Sequence, residues 1–247
     1  MRSDGDRRGG AGVTRRETLG LLAASAALPL AAAAADAMAP AEAKAAAVPK
    51  VYRGGHTAKP LPFDPAKLPG LSEKLLRSHH EKNYAGAVKR LDLIEAQLAA
   101  LPADAAPFQM GSLKREALIA ANSIRLHELY FANLGGSGPP SGTFASQVAA
   151  DFGSVEAWER DFRLTGLSLG GGSGWVIATL DPETRTLHNT WAWDHMHGLA
   201  GGVPVLVMDM YEHSYQMDYG ANAKGYIDAF LANIRWDAVN QRLQAPR

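Results

Sequence analysis

The chain has 247 residues, of which 47% are hydrophobic and 20% charged, and its 25 Lys and Arg balance 25 Asp and Glu. This balance argues against a nucleic-acid-binding protein, because such proteins carry an excess or a stripe of basic residues. The absence of cysteine excludes a disulfide scaffold, a thiolate metal site and a cysteine nucleophile. Any bound metal must therefore be held by His, Asp, Glu or water, which makes the 8 histidines the first candidate ligands.

Residues 1–38 have the composition of an export signal. The pair Arg15-Arg16 precedes an Ala-rich apolar run at residues 19–35, which is too short for a membrane span of about 20 strongly apolar residues. Residues 14–19 resemble a twin-arginine signal, whose cargo crosses the membrane folded. An N-terminal amphipathic helix is the alternative, but the run has no polar face. We therefore expect a periplasmic or secreted protein without a stable membrane anchor.

Residues 39–60 are rich in Ala, Lys and Pro and lack apolar periodicity, which predicts a linker or an extended arm. The apolar spacing in residues 61–140 predicts a helical hairpin domain. Its first helix begins after the N-cap Ser72 and ends before Pro102, and its second helix spans residues 114–133. A run of Gly and Pro then ends this domain.

Residues 141–247 form the second predicted domain. Two short helices at residues 144–152 and 155–169 precede three segments rich in Val, Ile, Thr and Trp, which predict strands. The predicted strands are residues 175–180, 186–193 and 203–207, and closing helices follow at residues 226–234 and 236–243. Helices followed by a small antiparallel sheet and further helices indicate an α+β fold.

Four side chains are candidates for one metal site. Asp209 and His213 are four residues apart, directly after an apolar run, and a helix there would place both on one face. His79 and His127 lie on the apolar faces of the two long predicted helices and would meet across an antiparallel hairpin. Three imidazoles and one carboxylate suit Mn, Fe or Zn. The spacing also allows a simple Asp-His ion pair and two hydrogen-bonded core histidines.

Six motifs, in this order, resemble the iron/manganese superoxide dismutase family from about residue 61 to the C-terminus. They are His79-His80-Glu81-Lys82, His127-Glu128-Leu129-Tyr130-Phe131, Phe152-Gly153-Ser154, Gly172-Ser173-Gly174-Trp175, Asp209-Met210-Tyr211-Glu212-His213 and Asn233-Ile234-Arg235-Trp236-Asp237. The resemblance implies an N-terminal antiparallel helical hairpin followed by an α/β domain with a three-stranded antiparallel sheet. It also implies that one Fe or Mn ion per subunit converts superoxide to dioxygen and hydrogen peroxide. The ligands it implies are His79, His127, Asp209 and His213.

The resemblance implies further roles around the metal. A histidine on the sheet contacts the metal-bound solvent in some family members, and here this is His195, with Asp194 as the register-shifted alternative. The resemblance also implies a homodimer. Glu212 would reach the neighbouring subunit's metal-ligand His, and Tyr215 would lie at the same interface.

This chain departs from the family pattern on the first helix. The usual gatekeeper Tyr is Ala87, and an interface His is Asn83. Tyr84 lies three residues earlier, about 60° short of a full helical turn, so we expect it not to replace the gatekeeper. A non-catalytic metal-binding protein on the same scaffold is therefore the main alternative. A zinc hydrolase is a weaker alternative, because the chain has no His-Glu-x-x-His motif.

Overall fold

The computed structural model describes residues 47–245, so the predicted export signal at residues 1–38 lies outside the described residues. The helices in this range are α1 Glu73–Ser78, α2 Ala85–Ala99, α3 Pro107–Asn133, α4 Gly142–Phe152, α5 Val155–Leu167, α6 Gln216–Tyr219, α7 Ala223–Ala232 and α8 Trp236–Gln244. The strands are β1 Trp175–Leu180, β2 Leu187–Ala192 and β3 Val203–Asp209. This order of elements confirms the predicted α+β fold.

A helical hairpin forms the first part of the described chain. The side chain of Ser72 accepts a hydrogen bond from Leu75 N, so the predicted N-cap is confirmed. A π-helix, His79–Tyr84, joins α1 to α2 without a break. α3 begins at Pro107, earlier than predicted, because proline suits the first helical turn and the Gln109 side chain accepts the Ala106 N–H. The two long helices run antiparallel, which brings the start of the first beside the end of the second.

The three strands form one antiparallel sheet in the order β2-β1-β3. All six residues of the central strand β1 are buried, as expected for a strand with a neighbour on each side. β3 continues two residues past its predicted end. Its last residue, Asp209, pairs with Trp175, the first residue of β1. The helix that would place Asp209 and His213 on one face does not form here. Asp209 ends a strand, and His213 lies in the 3-10 turn Glu212–Ser214.

The end of α3 is fastened to the sheet by a buried polar side chain. Asn133 is fully buried and donates from Nδ2 to Val207 O at 2.7 Å. Arg242 of α8 donates to Val205 O at 2.8 Å and also contacts the Asn133 side chain. A buried polar group left without a partner costs about 1–3 kcal/mol, so these bonds fix how α3 lies against β3. His127, near the end of α3, is thereby held over the sheet edge.

We call residues 47–62 the arm, and this segment lies along both long helices. Tyr52 packs on the cluster of Leu91 and its buried neighbours. The Lys59 N–H donates to Tyr84 Oη at 2.8 Å, and His80 Nε2 lies 2.8 Å from Lys59 O. The Lys59 ammonium forms an ion pair with Glu128 of α3. The arm therefore contacts the hairpin next to both of its predicted ligand histidines.

Between residues 47 and 245, no helix combines the length and apolar character needed to cross a bilayer.

Candidate metal centre

Four predicted ligands converge on one point, and we call them the central cluster: His79, His127, Asp209 and His213. Asp209 Oδ2 lies 3.1 Å from His79 Nε2 and 3.2 Å from His213 Nε2. The same oxygen lies 3.6 Å from His127 Nε2. Donor atoms that bind one ion at about 2.0–2.2 Å, at angles of roughly 90–120°, are separated by about 2.8–3.8 Å. The spacing within the central cluster is therefore that of ligands around a single ion.

The hydrogen bonds of His127 leave its Nε2 free to bind a metal ion. Its Nδ1 lies 2.7 Å from Ser123 O, and a carbonyl oxygen accepts only, so Nδ1 carries the proton. Its Nε2 faces the central cluster, is buried and has no hydrogen-bond partner among the described residues. A buried nitrogen without a partner is costly, and a metal ion would satisfy it. The residues present therefore fit a metal ion.

Asp209 is fixed from several directions. Its Oδ1 accepts the Tyr211 N–H at 2.8 Å, and its carbonyl oxygen accepts the Tyr226 hydroxyl at 2.6 Å. Burial alone would raise the pKa of this carboxyl, but His213 and His79 outweigh burial and hold the pKa well below its usual value. Asp209 is therefore an ionised carboxylate in a buried position, and such a charge needs a cation or several donors.

Burial has the opposite effect on the histidines. Burial, aided by the nearby His79, lowers the pKa of His127 to about 3. Burial also lowers the pKa of His79, although Asp209 opposes this shift. Both rings are therefore neutral near pH 7, which is the form of imidazole that binds metals. Together with Asp209 they give a donor set with a single negative charge.

Aromatic rings enclose the central cluster. The Phe131 ring centroid lies 5.0 Å from that of His79, and the Trp175 centroid lies 5.2 Å from that of His127. The Tyr211 ring stacks on His213 at 5.2 Å. Among the four ligands His213 alone has substantial exposure, with 26% of its side chain accessible. The centre is therefore largely enclosed by protein, and His213 is its most accessible ligand.

The structure places His195 beside the central cluster. Its Nδ1 lies 3.0 Å from Trp175 Nε1, and an indole N–H only donates, so in the neutral ring the proton is on Nε2. The ring stacks on Tyr211 at 4.9 Å and lies 6.2 Å from the His127 ring. Burial lowers the pKa of His195, which favours this neutral form. By contrast, the Asp194 carboxylate is bonded within its own loop, to Met196 N and His197 Nδ1.

The position of Tyr84 beside the central cluster was not predicted from the sequence. This side chain is 1% exposed, and its ring centroid lies 6.3 Å from that of His127. Its hydroxyl accepts the Lys59 N–H and donates to Glu128 Oε1 at 3.0 Å. The expected helical angle of Tyr84 assumed regular α geometry, whereas His79–Tyr84 is a π-helix. π-Helices are rare in proteins, and those that occur are often found at functional sites. No feature of the sequence indicates this π-helix.

The two predicted interface residues lie in different environments. Glu212 is exposed and directly precedes the ligand His213. Tyr215 is 1% exposed, stacks on Tyr226 at 5.2 Å and accepts the Gly171 N–H at its hydroxyl. The prediction that Tyr215 lies at a subunit interface is wrong, because a side chain enclosed by its own chain offers no surface to a partner.

The fold and the central cluster define a metalloprotein with a mononuclear site for Fe, Mn or Zn. A family profile described as "Iron/manganese superoxide dismutases, C-terminal domain" matches residues 140–242. The chain is 56% identical over 188 residues to "Superoxide dismutase [Fe]" of Cupriavidus metallidurans, a match that covers 76% of this chain and 95% of that protein. It is 34% identical over 194 residues to "Superoxide dismutase [Mn]" of Haloarcula marismortui, covering 75% and 92%. The chain therefore belongs to the iron/manganese superoxide dismutase family.

Proposed function

We propose that this protein is a superoxide dismutase, which converts superoxide to dioxygen and hydrogen peroxide with one Fe or Mn ion in the central cluster. The observation that carries this proposal is the convergence of His79, His213 and the ionised Asp209 around Nε2 of buried His127, which has no hydrogen-bond partner among the described residues. The relatives include proteins named as iron superoxide dismutases, one of them 56% identical, and proteins named as manganese superoxide dismutases, one of them 34% identical, which supports a site for either metal. The non-catalytic alternative draws its support from Ala87, where the family has its gatekeeper Tyr.

The side chains around the metal prepare the site for a small anion. When bound, the ion supplies the redox chemistry by alternating between its trivalent and divalent states. Asp209 contributes one negative charge and the imidazoles none. This donor set can therefore bind both the trivalent and the divalent ion without binding either state too tightly. The aromatic enclosure excludes bulk water and larger reductants. His195 holds a proton on Nε2 next to the enclosed space, where a hydrogen-bond donor is needed.

The proposed activity is tested on purified protein loaded separately with iron and with manganese. We expect one ion per subunit and catalysed loss of superoxide with at least one of the two metals. Metal content is measured on the same sample as the superoxide assay, so that loading and activity are compared directly. Full loading with either metal and no dismutation with both would contradict the proposal and favour the non-catalytic alternative.

We propose that His195 tunes the metal and supplies a proton, and we expect His195→Ala to lower the dismutation rate about 10- to 100-fold while the metal remains bound. The variant removes the Nε2–H donor, whose tautomer is fixed by the hydrogen bond from Trp175 to Nδ1. His195→Gln keeps an N–H donor and should retain more activity than His195→Ala. Asp194→Asn serves as the matched control, because Asp194 is bonded within its own loop. Unchanged rates per bound metal in His195→Ala would rule out this role.

We also infer that the protein is exported and acts as a homodimer. The twin-arginine-type pattern around Arg15-Arg16 supports export, and cell fractionation with both arginines changed to Lys would reveal retention in the cytoplasm.

The exposed position of Glu212, next to the ligand His213, supports a contact with a second subunit. Sedimentation of the purified protein checks this, and a monomer at micromolar concentration would contradict it.

A further inference from the structure

A second group of metal-ligating side chains lies on the opposite half of the hairpin, and we call it the arm cluster: His56, Asp92 and Glu95. His56 belongs to the arm, and the two carboxylates lie three residues apart on α2. His56 Nε2 lies 3.0 Å from Glu95 Oε1 and 4.0 Å from Asp92 Oδ1. Asp92 is 13 residues beyond His79, which at the rise of a helix is about 20 Å. The arm cluster is therefore separate from the central cluster.

The distances in the arm cluster lie near the spacing of ligands around zinc. Two ligands in tetrahedral zinc sites, bound at about 2.0–2.1 Å, lie about 3.3 Å apart. The observed separations of 3.0 and 4.0 Å from His56 Nε2 lie on either side of this value. One imidazole and two carboxylates form a donor set that suits zinc and similar borderline cations. Small rotations of exposed side chains would complete the geometry.

The charge of the arm cluster is unbalanced. Among the described residues, no Lys or Arg nitrogen lies within ion-pair distance of Asp92 or Glu95, and the His56 imidazole is the one basic side chain that lies within this distance. Other acids of the hairpin do have such partners, since Glu116 pairs with Arg90 and Glu128 with Lys59. The Glu95 side chain is only 13% exposed, so water screens its charge incompletely. A divalent cation would neutralise both carboxylates at once.

The arm backbone holds the two carboxylates in place. Gly54 N donates to Glu95 Oε2 at 2.9 Å, and His56 N donates to Asp92 Oδ1 at 3.1 Å. Gly54 has a φ of +62°, and a Cβ at this residue would lie 3.2 Å from Asp92 Oδ1. Glycine therefore permits the close approach. Such outer hydrogen bonds orient ligands at protein metal sites.

We propose that His56, Asp92 and Glu95 bind a divalent cation of the zinc type, which fastens the arm to α2 at a site distinct from the dismutase centre. Three protein ligands leave one position to water, and the site is open to solvent. The proposed zinc ion closes a link between two segments that are far apart in sequence. Its removal should therefore loosen the arm without emptying the central cluster.

The test titrates zinc into the full-length protein already loaded with iron or manganese. We expect one zinc ion per subunit to bind without release of the resident metal, and affinity to fall at least tenfold in both His56→Gln and Asp92→Asn. His188→Gln, which removes an exposed histidine elsewhere, is the matched control and should bind zinc normally. Zinc should also slow trypsin cleavage at the exposed Arg53 in the unmodified chain and not in His56→Gln.

Three results would overturn this proposal. The first is the absence of zinc binding to the loaded protein, and the second is binding that occurs only as iron or manganese is released. The third is unchanged zinc affinity in both variants of the arm cluster. All variants alter exposed or half-exposed side chains, and thermal unfolding of each confirms that the fold is retained before zinc is added.

Discussion

Asp209→Ala is expected to lower the metal content and to reduce dismutation by more than about 100-fold, since loss of an outer partner alone costs about 10- to 100-fold. Asp209 is the only anionic ligand of the central cluster, and its Oδ2 contacts all three imidazoles. The substitution also removes the acceptor of the Tyr211 N–H. Metal analysis and superoxide assays on the same preparation measure both losses.

Thermal unfolding gives a second readout for Asp209→Ala. A ligand that binds only the folded state raises stability by RT ln(1 + [L]/Kd), so iron or manganese should raise the Tm of the unmodified protein. We expect no such rise in Asp209→Ala. Asp237→Ala, at an exposed acid on α8, is the matched control and should keep the metal-dependent rise. An Asp209→Ala variant with full metal content and normal activity would show that the central cluster is not the catalytic centre.

Local sequence patterns predicted most of the fold because they act over short distances. The helix start at Ser72 depends on one side chain and the next turn, and the predicted cap is observed. β1 has its predicted bounds because its β-branched and aromatic residues are flanked by a Gly-rich run and a turn. The apolar spacing on the two long helices also placed His79 and His127 on the faces that meet.

Features that depend on distant contacts were not predictable in this way. The π-helix His79–Tyr84 coincides with the contacts of Tyr84 and His80 to Lys59, and the arm sequence gives no sign of them. The family resemblance assigned Tyr215 to an interface, yet its packing on Tyr226 depends on how α7 lies in the core. The four predicted ligands meet in the central cluster, but the pairing of Asp209 with Trp175 depends on the register of β3 against β1.

Gly174→Ala is expected to lower the free energy of unfolding by about 3–5 kcal/mol. Gly174 has a φ of +136°, which L residues rarely adopt, and a Cβ there would lie 2.3 Å from Ala192 O. The oxygen belongs to the backbone of β2, which is paired with β1, so it cannot move aside without breaking the sheet. Urea unfolding of the metal-loaded variant measures the loss.

Gly171→Ala separates the two causes of that loss. Gly171 also has a positive φ, +77°, but a Cβ there meets nothing within 4 Å, so we expect only the conformational cost of about 1–2 kcal/mol. Gly174→Ala should also weaken metal binding, because Gly174 O accepts the N–H of Met210 and Gly174 precedes Trp175. A shift of this backbone moves Asp209 and the ring that fixes His195. Equal losses of stability in the two variants would mean that the contact with β2 contributes nothing, and that the sheet edge tolerates the movement.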